Sequence, residues 1–278
     1  MDKDRAAVVD GVLALQYEAV AEPMTRQCIP SAFAMVGGVS AGMSVVDIAS
    51  GPGGLSVSAA EAGAQVLAAD LSEAMVERAA QRLKSYPNCS ARVMDAQALQ
   101  LEDGSFDAAF SLFGVVNVPD WRRALRELAR VTRTDGYGCI GTWQDPFTVG
   151  PLGFLAEALR RTFPDAPALP RPEGVTALRS PDTFRSEMAA VGFNDVDIRV
   201  VDVVWSAPSV DAFLDRCGPL YERMPTYAEL SRADRDRLVP VLRSIAEDAC
   251  TDDGLRVVAP ALLGAGRRPR DTAVQPLV

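Results

Sequence analysis

The 278-residue sequence predicts an α/β protein, a doubly wound and mostly parallel seven-stranded sheet with a helical lid over the carboxyl ends of the strands. Three observations carry this. Short β-branched runs alternate with helical patterns from residue 44 to 143, and the first run ends in a glycine-rich turn. The rhythm then breaks into a proline-rich stretch at 144–180 before strand and helix patterns resume.

Residues 5–21 read as a helix and 30–35 as the start of another, both leading in to VGGVSAGM. SVVDIA (44–49) is a strand, LSVSAAEAG (55–63) a helix with small residues for close packing on a sheet, and QVLAAD (65–70) a buried strand. SEAMVERAAQRLKSYP (72–87) is an amphipathic helix capped by Ser72, with Met75, Val76, Ala79, Ala80 and Leu83 inward and Pro87 as its limit. CSARVMD (89–95) and SFDAAFSLFG (105–114) supply two more strands. DWRRALRELARVTR (120–133) is a helix with Leu125, Leu128 and Val131 inward, and YGCIGTW (137–143) is the fifth strand. After the proline-rich stretch, SPDTFRSEMAAVG (180–192) is a capped helix and DVDIRVVDVVW (195–205) a strand. Two or three helical pieces span 208–249, and GLRVVAPALLGAGR (254–267) is a last strand that Pro260 restricts to an edge or bulge position.

The chain therefore divides into lead-in helices contributing to the lid (1–43), an α/β core (44–143), a lid insert (144–180), core again (181–205), a second helical lid insert (206–253), and a final edge strand with tail (254–278).

A formal charge of −9 works against partners whose affinity comes from phosphate neutralisation, so no nucleic acid is expected. The apolar fraction of 48% supplies a substantial core. No apolar stretch approaches the roughly 20 residues that span a bilayer, the start does not read as a signal peptide, and the cytoplasm is the expected location, with oligomerisation left open. Five widely spaced cysteines without a C-x-x-C pair suggest neither zinc nor disulfides. No histidine occurs, which removes Ser-His-Asp and Cys-His catalysis and imidazole metal sites, and no metal is expected.

The chemistry concentrates in VVDIASGPGGLSV (45–57). Glycines at 51, 53 and 54 let the backbone turn tightly and approach a ligand after a strand, where open parallel sheets collect cofactors. Asp70 ends the next strand about 20 residues on, the spacing at which a carboxylate accepts both hydroxyls of a ribose; capping the following helix is its other reading. Asp95, Ala96 and Gln97 end the third strand, where an acceptor reads an adenine amino group or simply forms a turn.

On these residues the chain resembles the class I S-adenosylmethionine-dependent methyltransferases, in particular the small-molecule branch related to ubiquinone/menaquinone biosynthesis methyltransferases, over residues 40–205. The resemblance implies S-adenosyl-L-methionine as cofactor and S-adenosyl-L-homocysteine as product. It implies that Asp47, Ala49, Gly51 and Gly53 approach the methionine part and that Asp70 binds ribose. Leu71 and Met75 would flank adenosine, Asp95 and Ala96 would meet adenine, and Ser111 and Phe113 would lie beside the reactive sulfur. DIASGPGG departs from the family's Asp-x-Gly-x-Gly-x-Gly at Ala49, a change that costs little where φ is negative, although its methyl narrows the approach to the cofactor. A dehydrogenase shares the sheet and the ribose carboxylate, but its G-x-G-x-x-G does not match GPGGLS, which has Ser56 at the last position.

A sulfonium brings its own electrophile, so the protein mainly desolvates and aligns a nucleophile. Tyr17 and Asp145 are the preferred candidates to help remove a proton, with Glu18, Tyr221 and Tyr227 behind them. Trp143, Phe147, Phe154, Leu155, Leu159, Phe163, Trp205, Phe213 and Leu214 form either an apolar cover for a small hydrophobic acceptor or an ordinary cap core. A reaction of the same fold without methyl transfer, such as cyclisation, rearrangement or decarboxylation, is the alternative.

Overall fold

The computed structural model describes residues 3–145, 150–166, 168–169, 171–222 and 224–270. Strands β1 (Ser44–Ile48), β2 (Gln65–Asp70), β3 (Ser90–Val93), β4 (Phe106–Leu112) and β5 (Thr132–Trp143) pair in parallel. The remaining strands are β6 (Asn194–Ala207), a two-residue β7 (Cys250–Thr251) and β8 (Gly254–Arg267). The order is β3-β2-β1-β4-β5-β8-β6, with β8 antiparallel to both neighbours and β7 paired to its start. The chain order reverses between β1 and β4, and at such a point the connections leave in opposite directions and open a crevice.

One face of the sheet is covered by the short helices α2 (Glu22–Thr25) and α3 (Ile29–Met35) and by α4 (Gly54–Glu61) and α5 (Glu73–Leu83), with α1 (Lys3–Val20) lying across α5. The other face is covered by α6 (Trp121–Val131), α8 (Glu173–Leu178) and α9 (Pro181–Ala190). Helices α7 (Gly150–Thr162), α10 (Val210–Tyr221) and α12 (Arg232–Asp248), with the short α11 (Pro225–Ala228), build a lid with its own apolar core. The expected caps are present: Ser72 Oγ accepts from the Met75 N–H at 3.4 Å, and Ser180 Oγ accepts from the Thr183 N–H at 3.5 Å.

Three local expectations are corrected. Helix α6 ends at Val131 and β5 begins at Thr132, because Asp135 takes φ +64°, its N–H donates to Arg268 C=O and the Arg268 N–H donates to Gly136 C=O, bonds that draw this stretch into the sheet. Ala80 is exposed, while Met75, Val76, Ala79 and Leu83 are buried. Gly254–Arg267 is not an edge strand, since it lies between β5 and β6. Pro260 is tolerated there because its carbonyl faces the β5 side and accepts from Gln144 N–H at 3.0 Å, just past the end of β5. Its missing N–H therefore falls where no strand continues. The true edge is β6, and the Gln27 side chain covers part of it by accepting from Val204 N–H at 2.9 Å and donating to Val204 C=O at 3.0 Å.

Candidate active site

The turn after β1 is built from three residues at positive φ: Ala49 (54°), Gly51 (55°) and Gly53 (85°), the last capping α4. Asp70 holds this turn to the end of β2. One carboxylate oxygen accepts from Gly51 N–H at 2.8 Å and the other from Ser72 N–H at 2.9 Å, leaving each oxygen a further lone pair. Ala49 corrects the expectation of an inexpensive negative φ: in this conformation its methyl strains the backbone by about 1 kcal/mol relative to glycine. The methyl fits because residue 114 has none, since a Cβ on Gly114 would lie 2.6 Å from the Ala49 Cβ. Next to Asp70, Leu71 stands 67% exposed, an apolar side chain presented to solvent, while Met75 is buried below it. Asp95 accepts from the Gln97 N–H at 2.8 Å, which holds its carboxyl below the usual carboxylate range, and Ala96 is buried in the core.

Asp47 is buried at the mouth of the same turn, accepting from Ser56 Oγ at 2.7 Å and Ser56 N–H at 3.2 Å. Burial outweighs these bonds and pushes its carboxyl up to about 7. Ser111 is fully buried; its hydroxyl donates to Ile48 C=O at 2.7 Å and accepts from Val115 N–H at 3.0 Å. It ties the turns after β1 and β4 together rather than offering its hydroxyl to a ligand. Phe113, at φ +64°, turns its ring onto Trp143 with centroids 4.6 Å apart.

The lead-in segment closes the other side. Glu18 meets Arg78 through two bonds, the longer 2.9 Å, and Glu22 meets Arg82 through two bonds of 2.7 and 2.8 Å. Arg82 also donates to Pro52 C=O at 2.9 Å, so the acidic lead-in is locked to the glycine turn. Glu22, Thr25 and Arg26 line the resulting cleft and were missed from sequence. A signal was present: Glu18 and Glu22 repeat at the same four-residue spacing as Arg78 and Arg82, which matches two helical faces.

Two cavities meet here. A polar cleft of about 60 Å³ is bounded by Asp47, Ala49, Gly51, Glu22, Arg26 and Phe113. A second cavity of about 330 Å³ lies under the lid, with Trp143, Trp205, Leu169, Leu220 and Met224 in its walls. Tyr17, Thr25 and Phe113 line both. Tyr17 is thus at the junction, its ring packed against Gly51. Asp145 is not; its carboxylate faces two arginines, 3.4 Å from Arg171 and 4.0 Å from Arg179 at the end of α8. Tyr221 lies in the lid core with its ring near Tyr227. Of the expected apolar cover, Trp143 and Trp205 line the cavity, whereas Phe154, Leu155, Leu159 and Phe213 form the lid core and Phe163 and Leu214 pack on it. Phe147 lies outside the described residues. Among the described residues no group of three His, Cys, Asp or Glu is placed to hold a metal ion, and no helix is long and apolar enough to cross a membrane.

A family model described as a methyltransferase domain matches residues 45–136. An uncharacterized protein of Mycobacterium bovis is 35% identical over 155 residues, 55% of this chain and 54% of that protein, so the chain spans about half the length of this relative. The demethylmenaquinone methyltransferase of Renibacterium salmoninarum is 32% identical over 172 residues, 58% of this chain and 71% of that protein. The solved structure of YcgJ from Bacillus subtilis has the same fold, with a TM-score of 0.56 at 19% identity over 87% of this chain and 96% of that one. With the glycine turn and Asp70 at the point where the strand order reverses, these matches lead to one conclusion: the chain belongs to the class I S-adenosylmethionine-dependent methyltransferase family.

Proposed function

We propose that this protein transfers a methyl group from S-adenosyl-L-methionine to an oxygen, nitrogen or carbon nucleophile of a small hydrophobic acceptor, a natural-product or quinone-like intermediate. The observation that carries this reading is the junction of a polar cleft and an apolar cavity at Tyr17, Thr25 and Phe113. The residues present suit the cofactor. A buried acid (Asp47) and a guanidinium (Arg26) share the cleft, as an amino-acid end requires, and an exposed leucine beside Asp70 offers an apolar face next to a ribose-binding carboxylate.

In this reading Asp70 accepts the ribose hydroxyls through its two remaining lone pairs. Leu71 and Met75 flank the adenosine, and Asp95 with Ala96 meets the adenine. Asp47, Ala49, Gly51 and Gly53 enclose the methionyl arm. Ser111 acts by fixing the two turns, and Phe113 forms the wall past which the methyl group is delivered. When bound, the sulfonium supplies the electrophilic methyl and S-adenosyl-L-homocysteine is the leaving product. Tyr17 aligns the nucleophile and holds or passes its proton, and Asp145 ties the end of β5 to the segment from Arg171 to Arg179.

Calorimetric titration with S-adenosylhomocysteine tests the cofactor site. Saturable binding is expected, weakened at least about tenfold in Asp70→Ala as two hydroxyl contacts are lost; unchanged affinity removes the ribose assignment. A labelled methyl group should reach an organic-phase product from a panel of hydroxylated quinones and phenols, with equimolar S-adenosylhomocysteine. Product without S-adenosylhomocysteine would favour cyclisation, rearrangement or decarboxylation instead.

A further inference from the structure

The acceptor cavity is selective in its chemistry. Among the described residues that line it none carries a charge, and its walls include the rings of Tyr17, Phe113, Trp143 and Trp205. A narrow gap between α1 and α10, lined by Gln16, Val20 and Pro219, shares Tyr17, Ala21 and Leu220 with the cavity and is uncharged as well. An anionic or cationic group entering here loses its hydration and meets no opposite charge.

Two of the polar side chains on the cavity walls, Thr25 and Asn117, each give a donor to a backbone carbonyl and so have acceptor lone pairs to offer. Thr25 donates its hydroxyl proton to Glu22 C=O at 3.2 Å, which turns the lone pairs of Oγ1 to other partners, and Thr25 lines both cavities. Asn117 donates through Nδ2 to Phe113 C=O at 2.7 Å, which identifies its other side-chain atom as the carbonyl oxygen on this wall. A cavity of about 330 Å³ with aromatic walls and hydrogen-bond acceptors fits a flat ring that brings its own donor.

We propose that the lid cavity selects an uncharged aromatic acceptor bearing a hydroxyl or N–H, received by Thr25 Oγ1 at the junction with the cofactor cleft. This rests on the methyltransferase reading only for the role of the bound ring, not for its recognition. Thr25 is a positioning residue: it orients the donor, and the aromatic walls set the plane.

The full-length protein, saturated with S-adenosylhomocysteine, is titrated calorimetrically at pH 7 with 2-naphthol, 2-naphthoate and 2-methylnaphthalene. 2-Naphthol is expected to bind at least about tenfold more tightly than either of the others, because 2-naphthoate carries a charge that nothing in the cavity compensates and 2-methylnaphthalene has no donor. Thr25→Val should reduce 2-naphthol to the affinity of 2-methylnaphthalene, and Thr25→Ser should retain the preference. Comparable affinity for 2-naphthoate, an unchanged preference in Thr25→Val, or no binding of any probe up to its solubility limit each overturns the proposal. Absence of S-adenosylhomocysteine binding instead removes the cofactor reading, and the probe comparison then stands on the unloaded protein.

Discussion

At the scale of single residues, the site departs from the easiest chemistry at Asp47 and Ala49. A carboxyl held at about 7 in the folded protein stays protonated over a range where the unfolded chain has already ionised. Between the ordinary carboxylate value and about 7, the folded state therefore binds more protons than the unfolded state, and this group's contribution to stability falls as pH rises. Asp47→Asn keeps an acceptor for Ser56 without the titration. Urea unfolding at pH 5, 6, 7 and 8 should show the wild type losing stability relative to the variant between pH 5 and 7, by at most about 1.4 kcal/mol per pH unit, and running parallel above that. Parallel profiles throughout would show that Asp47 is ionised in the folded protein. Ala49 gives a second test. Ala49→Gly relieves the strain at φ +54° and should raise stability by about 0.5–1 kcal/mol with an unchanged urea dependence. A loss of stability would mean that the methyl packs favourably enough beside Gly114 to outweigh its backbone cost.

At the scale of elements, strands β1, β2, β4 and β5 were legible because each holds a local run of buried residues punctuated by glycine or by a capping residue, and β3, exposed at the sheet edge, by its place in the strand–helix alternation. What stayed hidden was set by distant segments. The sign of φ at Ala49 belongs to a turn held by Asp70, the early start of β5 depends on backbone bonds to Arg268, and the central place of β8 depends on β6 and β5 flanking it. Asp47 lies in the glycine-rich motif and Asp70 at the end of the next strand, whereas Glu22, Thr25 and Arg26 came to the cleft only through the docking of the lead-in segment on α5. That docking is testable. The Glu22–Arg82 pair is nearly buried and also braces Pro52, while Glu18–Arg78 is half-open to solvent. Glu22→Gln leaves Arg82 only the looser contact with Glu18 at 3.8 Å and should cost about 2–3 kcal/mol, against less than about 1 kcal/mol for Glu18→Gln. Urea midpoints compare the two, and equal losses would show that the lead-in segment is held by its apolar contacts instead.

At the scale of the molecule, the question is whether the lid behaves as a separate body or as part of the sheet. Strand β8 pairs with β5 only as far as Ala261, but its pairing with β6 continues to Leu255. Beyond the end of β5 the two strands therefore run on as a ribbon, joined by the two residues of β7 only at Gly254 and Leu255. Leu255 and Ala207, at its far end, are buried in the lid core with Phe213, Cys217 and Leu238, while Leu262 and Leu263 of the same strand are buried in the two sheet cores. A two-stranded ribbon has little stability by itself and keeps its register only when both ends are packed. Loss of the lid core then frees the ribbon and with it the antiparallel end of the sheet. Phe213, 1% exposed at the centre of the lid, should on replacement by alanine cost about 3–5 kcal/mol. That cost should appear in a single unfolding transition seen alike by circular dichroism and by tryptophan fluorescence, whose sources are Trp121 under the sheet and Trp143 and Trp205 at the cavity. Two separated transitions in Phe213→Ala, with S-adenosylhomocysteine still bound after the first, would mean that the lid folds as an independent unit and that the cavity under it opens without disturbing the polar cleft.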